Sequence, residues 1–150
     1  MPSRESGDNR PGFTYHRVIR FHETDAAGVV YFANVLTLCH EAYEASLAAN
    51  GIDVRVFFGG GLLAVPVVHA SVDFRRPLHC GDQLEIALTP TPLDTNTFEI
   101  CYHLRNTEQK PVATALTRHV CIDSASRQRH EFSPELVQWL QSAAPPPEND

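Results

Sequence analysis

The chain has 150 residues, enough for one domain with a single core. Its 43% apolar and 20% charged residues are the balance of an ordinary globular protein, and a net charge of −6 argues against a nucleic-acid binder, which needs a basic footprint. The four cysteines, Cys39, Cys80, Cys101 and Cys121, form no CxxC pair, so no zinc site is announced and they read mainly as small buried hydrophobes. Residues 1–12 are polar, contain Pro and Gly, and read as a disordered N-terminus without the apolar stretch of a signal peptide. No run approaches the roughly 20 apolar residues that span a bilayer. Together these features predict a cytoplasmic protein with reduced thiols.

The domain is expected over residues 13–142. FTYHRVIRFHETD (13–25) is rich in aromatic and β-branched residues and reads as a first strand. In YFANVLTLCHEAYEASLAANG (31–51), Val35, Leu38, Cys39, Ala42, Ala45, Ser46 and Ala49 recur at helical spacing, and Gly51 sits where a helix would stop. Leu36, Tyr43 and Leu47 widen the apolar surface, so this helix should be enclosed by the rest of the protein. After a Gly-rich loop, FFGGGLL (57–63), the period changes to two in VVHASVDFRRP, DQLEIALTP and TFEICYHLR, and a last strand runs from Pro111 to Asp123. Short turns separate these strands, which predicts consecutive hairpins and an antiparallel sheet. SPELVQWLQSA then forms a closing amphipathic helix, with Ser133 as N-cap and Pro134 in its first position, and the proline-rich tail 143–150 reads as disordered. The result is an α+β class protein. A curved antiparallel β-sheet wrapped around one long central α-helix, the hot-dog arrangement, satisfies both patterns.

Chemistry points to Asp25, at the end of a strand and just ahead of the long helix. The orphan N–H groups of that helix's first turn, near Val30 to Asn34, form a site for a developing negative charge, and a substrate carbonyl aimed there would be polarised. A carboxylate upstream would attack that carbonyl or deprotonate a water that does. The competing reading is a plain capped turn, since Asp and Gly are favoured in both roles. His22 and Glu23 alternate in direction on a strand and form no dyad. His40, Glu41 and Glu44 offer either catalytic groups on the helix or its one polar strip. No GxSxG elbow is present, and FGGGLL lacks the spacing of a nucleotide loop and reads as a flap. Arg75, Arg76, Lys110 and Arg118 either gather around a phosphorylated ligand or simply serve solubility.

TDAAGVVYFANVL (24–36), with its Asp-x-x-Gly-x-Val-Tyr-x-x-Asn spacing, resembles the signature of the 4-hydroxybenzoyl-CoA thioesterase branch of the hot-dog superfamily, and DFRRPLHCGD (73–82) resembles its strand-turn segment. Within that family, LCHEAYEASL, VVHASVDFRRPLHCGD and RHVCI look like the members that hydrolyse 1,4-dihydroxy-2-naphthoyl-CoA in phylloquinone biosynthesis. Relatives acting on short acyl chains usually carry His where this chain has Phe32 and Glu where it has His40. The resemblance implies Asp25 as the catalytic carboxylate and the backbone N–H of Phe32 as the oxyanion donor. It implies substrate contacts at Gly28 and Tyr31, with Arg75, Arg76 and Arg118 meeting the CoA phosphates. It also implies a homotetramer of paired dimers with sites at subunit interfaces, and no metal or organic cofactor. Hydrolysis of another acyl thioester, or acyl binding without turnover, are the alternatives that the residues leave open.

Overall fold

A computed structural model describes residues 12–143. The expectations for the two chain ends therefore lie outside the described residues, except at Gly12 and at Ala143, which is the buried last residue of a helix. The strands are β1 (Phe13–Val18), β2 (Leu63–Ala64), β3 (Val67–Phe74), β4 (Gln83–Pro92), β5 (Thr97–Arg105), β6 (Pro111–Val120) and β7 (Ile122–Asp123). The helices are α1 (Val35–Ala49), α2 (Val54–Phe57) and α3 (Pro134–Ala143). Five strands form one antiparallel sheet in the order β1-β4-β5-β6-β3, and β2 pairs with β7 in a second, two-stranded sheet.

Period-two patterning explains the inner face of the sheet. Leu84, Ile86 and Leu88 of β4 face inward with Phe98, Ile100, Tyr102 and Leu104 of β5, and each is at most 2% exposed. The register aligns them, with Ile86 opposite Leu104 and Leu88 opposite Tyr102. α1 supplies the other half of the core through Leu38, Cys39, Ala42 and Leu47, all 0% exposed. Burying such side chains is worth about 1.5–3 kcal/mol for each large apolar residue. Gly51 ends the helix region at φ +85°, where a Cβ would be strained, and its N–H donates to the Ala48 carbonyl at 3.0 Å. α3 begins as its sequence requires: Ser133 Oγ accepts the Leu136 N–H at 3.2 Å. It is fastened to α1 by Trp139, fully buried, whose Nε1–H donates to Ser46 Oγ at 2.8 Å.

Three expectations about the elements are corrected. The strand expected over 13–25 ends at Val18; Phe21–Glu23 is a 3₁₀ turn, because Glu23 folds back to accept the Arg20 N–H on its Oε1 at 2.8 Å. The strand expected over 111–123 breaks at Cys121, and its last residues pair with Leu63–Ala64. Finally, β3 lies beside β6 rather than forming a hairpin with β4. The connection RRPLHCGD returns across the domain, pinned by buried Leu78. The Leu78 carbonyl accepts the Val30 N–H at 2.8 Å, and Gly81 N–H donates to the Ile19 carbonyl at 2.8 Å. β3 is thereby left as an edge strand with Val67 41%, Val68 57% and Phe74 53% exposed. None of the described helices is long and apolar enough to cross a membrane.

Candidate active site

Asp25 stands on a tight, well-braced turn. Thr24 and Val30 pair as an isolated antiparallel bridge, Asp25 N–H donates to the Val29 carbonyl at 2.9 Å, and Gly28 N–H donates to the Asp25 carbonyl at 2.9 Å. Gly28 takes φ +84° with nothing within 4 Å of where a Cβ would stand, so the backbone conformation rather than crowding selects glycine. Asp25 Oδ1 accepts the Ala27 N–H at 2.9 Å. Its other oxygen has no protein partner among the described residues, and the residue is exposed. The carboxylate is thus oriented by one hydrogen bond and left open to a ligand on the other side.

The helix start follows at once. Phe32–Asn34 form a 3₁₀ turn that leads into α1, and Phe32 and Ala33 N–H groups have no backbone acceptor among the described residues. These orphan donors at a helix N-terminus suit a developing oxyanion. Around them lies an exposed aromatic surface: Phe32 is 62% exposed and packs edge-on against Tyr31 at 5.0 Å and against Phe74 of β3 at 6.2 Å. The stretch Asp25–Phe32 thus brings together a carboxylate with an unpaired oxygen, orphan N–H groups and exposed aromatic rings, with Phe74 packed against Phe32.

The model of the thioesterase-like superfamily matches residues 19–140. The chain belongs to that superfamily. It is 55% identical over 130 residues to the 1,4-dihydroxy-2-naphthoyl-CoA hydrolase of Nostoc punctiforme, covering 87% of each chain. It is 52% identical over 132 residues to the enzyme of the same name from Trichodesmium erythraeum, covering 87% of this chain and 96% of that one. Among solved structures it resembles a 1,4-dihydroxy-2-naphthoyl-CoA thioesterase from Synechocystis, with 38% identity, a TM-score of 0.82, and coverage of 86% of this chain and 95% of that one. The hot-dog fold expected from periodicity is therefore the fold of this thioesterase-superfamily chain.

The thioesterase-superfamily chain places its arginines apart. Arg75 and Arg76 follow the end of β3, whereas Arg118 pairs with His69 near the other end of that strand. That separation is roughly 20 Å at the rise of a strand. Arg118 Nη2 is bound to Glu99 Oε2 at 2.7 Å, and Arg76 Nη1 donates to the Pro111 carbonyl at 2.8 Å. Arg75 has no ion-pair partner among the described residues and lines a hollow of about 360 Å³ with His103, Arg105 and Thr114. Burial, and then the charge of Arg105, lower the His103 pKa, so this ring leaves the two guanidiniums as the charges of the hollow. Lys110 lies near Glu108 at 3.9 Å, directly before Pro111, which lines the same hollow.

His40 and Glu44 are exposed on α1, and Glu41 is turned to an ion pair with Arg17. Among the described residues no three His, Cys, Asp or Glu side chains are close enough to hold a metal. Two features escaped sequence reading. Arg17 joins Glu23 and Glu41 behind the Asp25 turn; the signal was a charge at an inward-facing position of β1, opposite Leu84. His119, 0% exposed, joins Thr117 and Tyr102 in a buried polar chain at 2.8 and 3.2 Å. Its signal was the inward phase it shares with Ala113, Ala115 and Thr117.

Proposed function

We propose that this chain hydrolyses 1,4-dihydroxy-2-naphthoyl-CoA to 1,4-dihydroxy-2-naphthoate and CoA, the thioester-cleaving step of phylloquinone biosynthesis. The observation that carries the reading is Asp25, held by its turn with one oxygen open, beside unpaired N–H groups and an aromatic face. The names of relatives at 55% and 52% identity support the choice of acyl group. Asp25 attacks the thioester carbon, or removes a proton from the water that does, while Phe32 N–H takes the charge that develops on the carbonyl oxygen. Water supplies the oxygen that replaces sulfur on the acyl carbon, and a proton ends on the departing CoA thiolate. Neither a metal nor an organic cofactor takes part.

Tyr31, Phe32 and Phe74 receive the bicyclic ring, and the Gly28 turn leaves it room. Arg75 with Arg105 meets a CoA phosphate. Arg76 and Arg118 join only by exchanging their present partners. β3 supports a self-association. Its free edge and exposed Val67, Val68 and Phe74 are covered when a second copy adds its own β3 antiparallel, which brings both aromatic faces to the interface. Two such dimers make the tetramer, in the cytoplasm.

The test is steady-state thiol release from 1,4-dihydroxy-2-naphthoyl-CoA beside benzoyl-, 4-hydroxybenzoyl- and short-chain acyl-CoA. A preference in kcat/KM of several orders of magnitude for the naphthoyl ester is expected. Equal, low rates on all four would remove the substrate assignment, and ligand binding without turnover would remove the catalytic one.

A further inference from the structure

The turn that carries Asp25 is fastened from behind by charge. Arg17, on the inner side of β1, donates Nη1–H to both oxygens of Glu41 at 2.8 and 2.9 Å and Nη2–H to Glu23 at 2.7 Å. The Arg17 and Glu23 side chains are each only 9% exposed. Tyr15 O–H donates to Glu41 Oε1 at 3.2 Å, and Arg20 N–H donates to Glu23 Oε1 at 2.8 Å. The backbone of Glu23 is used as well. Its carbonyl accepts the Tyr31 N–H at 3.0 Å and the Asn34 Nδ2–H at 2.9 Å.

Glu23 is therefore a common anchor. Two residues beyond it stands Asp25, and the residue bonded to its carbonyl, Tyr31, directly precedes the Phe32 N–H. One guanidinium holds that anchor against β1 and, through Glu41, against the helix whose first turn supplies the donors. Stability alone is a poor reason for such an arrangement, because well-packed apolar side chains often serve as well as a buried ion pair or better. The fork of the guanidinium is what a hydrophobic group or a lysine cannot reproduce: it meets two carboxylates at fixed angles.

We propose that Arg17 is a positioning residue, which through Glu23 and Glu41 sets the distance between the Asp25 carboxylate and the Phe32 N–H. This rests on the reading of Asp25 and Phe32 given above. Displacement of a reacting group by about 1 Å can cost on the order of 100-fold in rate.

The test compares wild type with Arg17→Lys, Arg17→Ala, Asn34→Ala and the exposed control Glu44→Gln. It uses turnover of the naphthoyl ester and amide hydrogen exchange over residues 24–34. Arg17→Lys is expected to lower kcat by about 10- to 100-fold with KM within about threefold. Exchange over 24–34 should rise, while the core strands stay protected. Guanidinium ion at sub-denaturing concentration should restore part of the kcat lost in Arg17→Ala, and Glu44→Gln should match wild type. Should the Arg17 variants not fold, Asn34→Ala decides, since it cuts only the side-chain link from the helix start to Glu23. Wild-type kcat and wild-type exchange in the folded variants would overturn the proposal, as would a rise in KM at constant kcat. If wild type hydrolyses no acyl-CoA, the functional reading fails by itself, and exchange over 24–34 still decides whether Arg17 braces the turn.

Discussion

Acidification should destabilise this protein through the buried ring of His119. The ring is 0% exposed, stacks on Phe98 at 4.7 Å with planes 4° apart, and lies 5.1 Å from the ring of Tyr43. Its Nε2 shares a hydrogen bond with Thr117 Oγ1, whereas Nδ1 faces the Val65 carbonyl without a well-formed bond. Burial, reinforced by His40 on α1, pushes the His119 pKa down to about 4, and the Val65 carbonyl offsets only part of this. Above the ordinary value of about 6.5 both folded and unfolded chains carry a neutral ring and the full stability is present. Between about 6.5 and about 4 the unfolded chain takes up a proton that the folded one refuses, so stability falls as pH falls; below about 4 the loss is complete. At about 1.4 kcal/mol per pH unit the total is about 3 kcal/mol, a large share of the roughly 5–15 kcal/mol that holds a domain together. Urea denaturation of wild type and His119→Gln, at fixed protein concentration and at several pH values from 7.5 to 4.5, measures it. Wild type and variant should run parallel above about pH 6.5, and below it wild type should lose about 1 kcal/mol more per pH unit. Curves that stay parallel below it would refute the reasoning, even if the variant were less stable throughout.

Further outcomes bear on the site. Asp25→Asn should lower kcat by at least about 100-fold, the scale of one general acid–base group, while its exposed position leaves the melting temperature nearly unchanged; near wild-type turnover would remove Asp25 from the mechanism. Gly28→Ala should cost about 1–2 kcal/mol in unfolding free energy because φ is +84°, and Gly28→Asn should cost less, as Asn tolerates that region better. Arg75→Ala should raise KM for the CoA ester roughly 10-fold, the worth of one charge-assisted phosphate contact, and leave KM for a short thioester without the nucleotide unchanged. Val68→Asp, on the exposed edge strand, should shift the protein toward monomer in light scattering; an unchanged mass would show that β3 is not the interface.

Much of the molecule was legible along the chain. Local signals marked the long helix through the spacing of Val35, Leu38, Cys39 and Ala42, its end through Gly51, and the last helix through Ser133 and Pro134. Period-two runs marked β4 and β5, and Asp25 with Gly28 marked the turn ahead of the long helix. These are properties of a few neighbouring residues, and short-range sterics and hydrogen bonding decide them wherever they stand. Pairing across the sheet is different. Nothing local says that β3 joins β6 rather than β4, because that choice depends on how Leu78 and Gly81 anchor the connection to Ile19 and Val30. Nor does spacing show that Arg17, Glu23 and Glu41 meet, since they come from a strand, a turn and a helix. The charges look like ordinary surface residues until folding takes Arg17 and Glu23 almost wholly out of water, and only there do they need each other and Glu41.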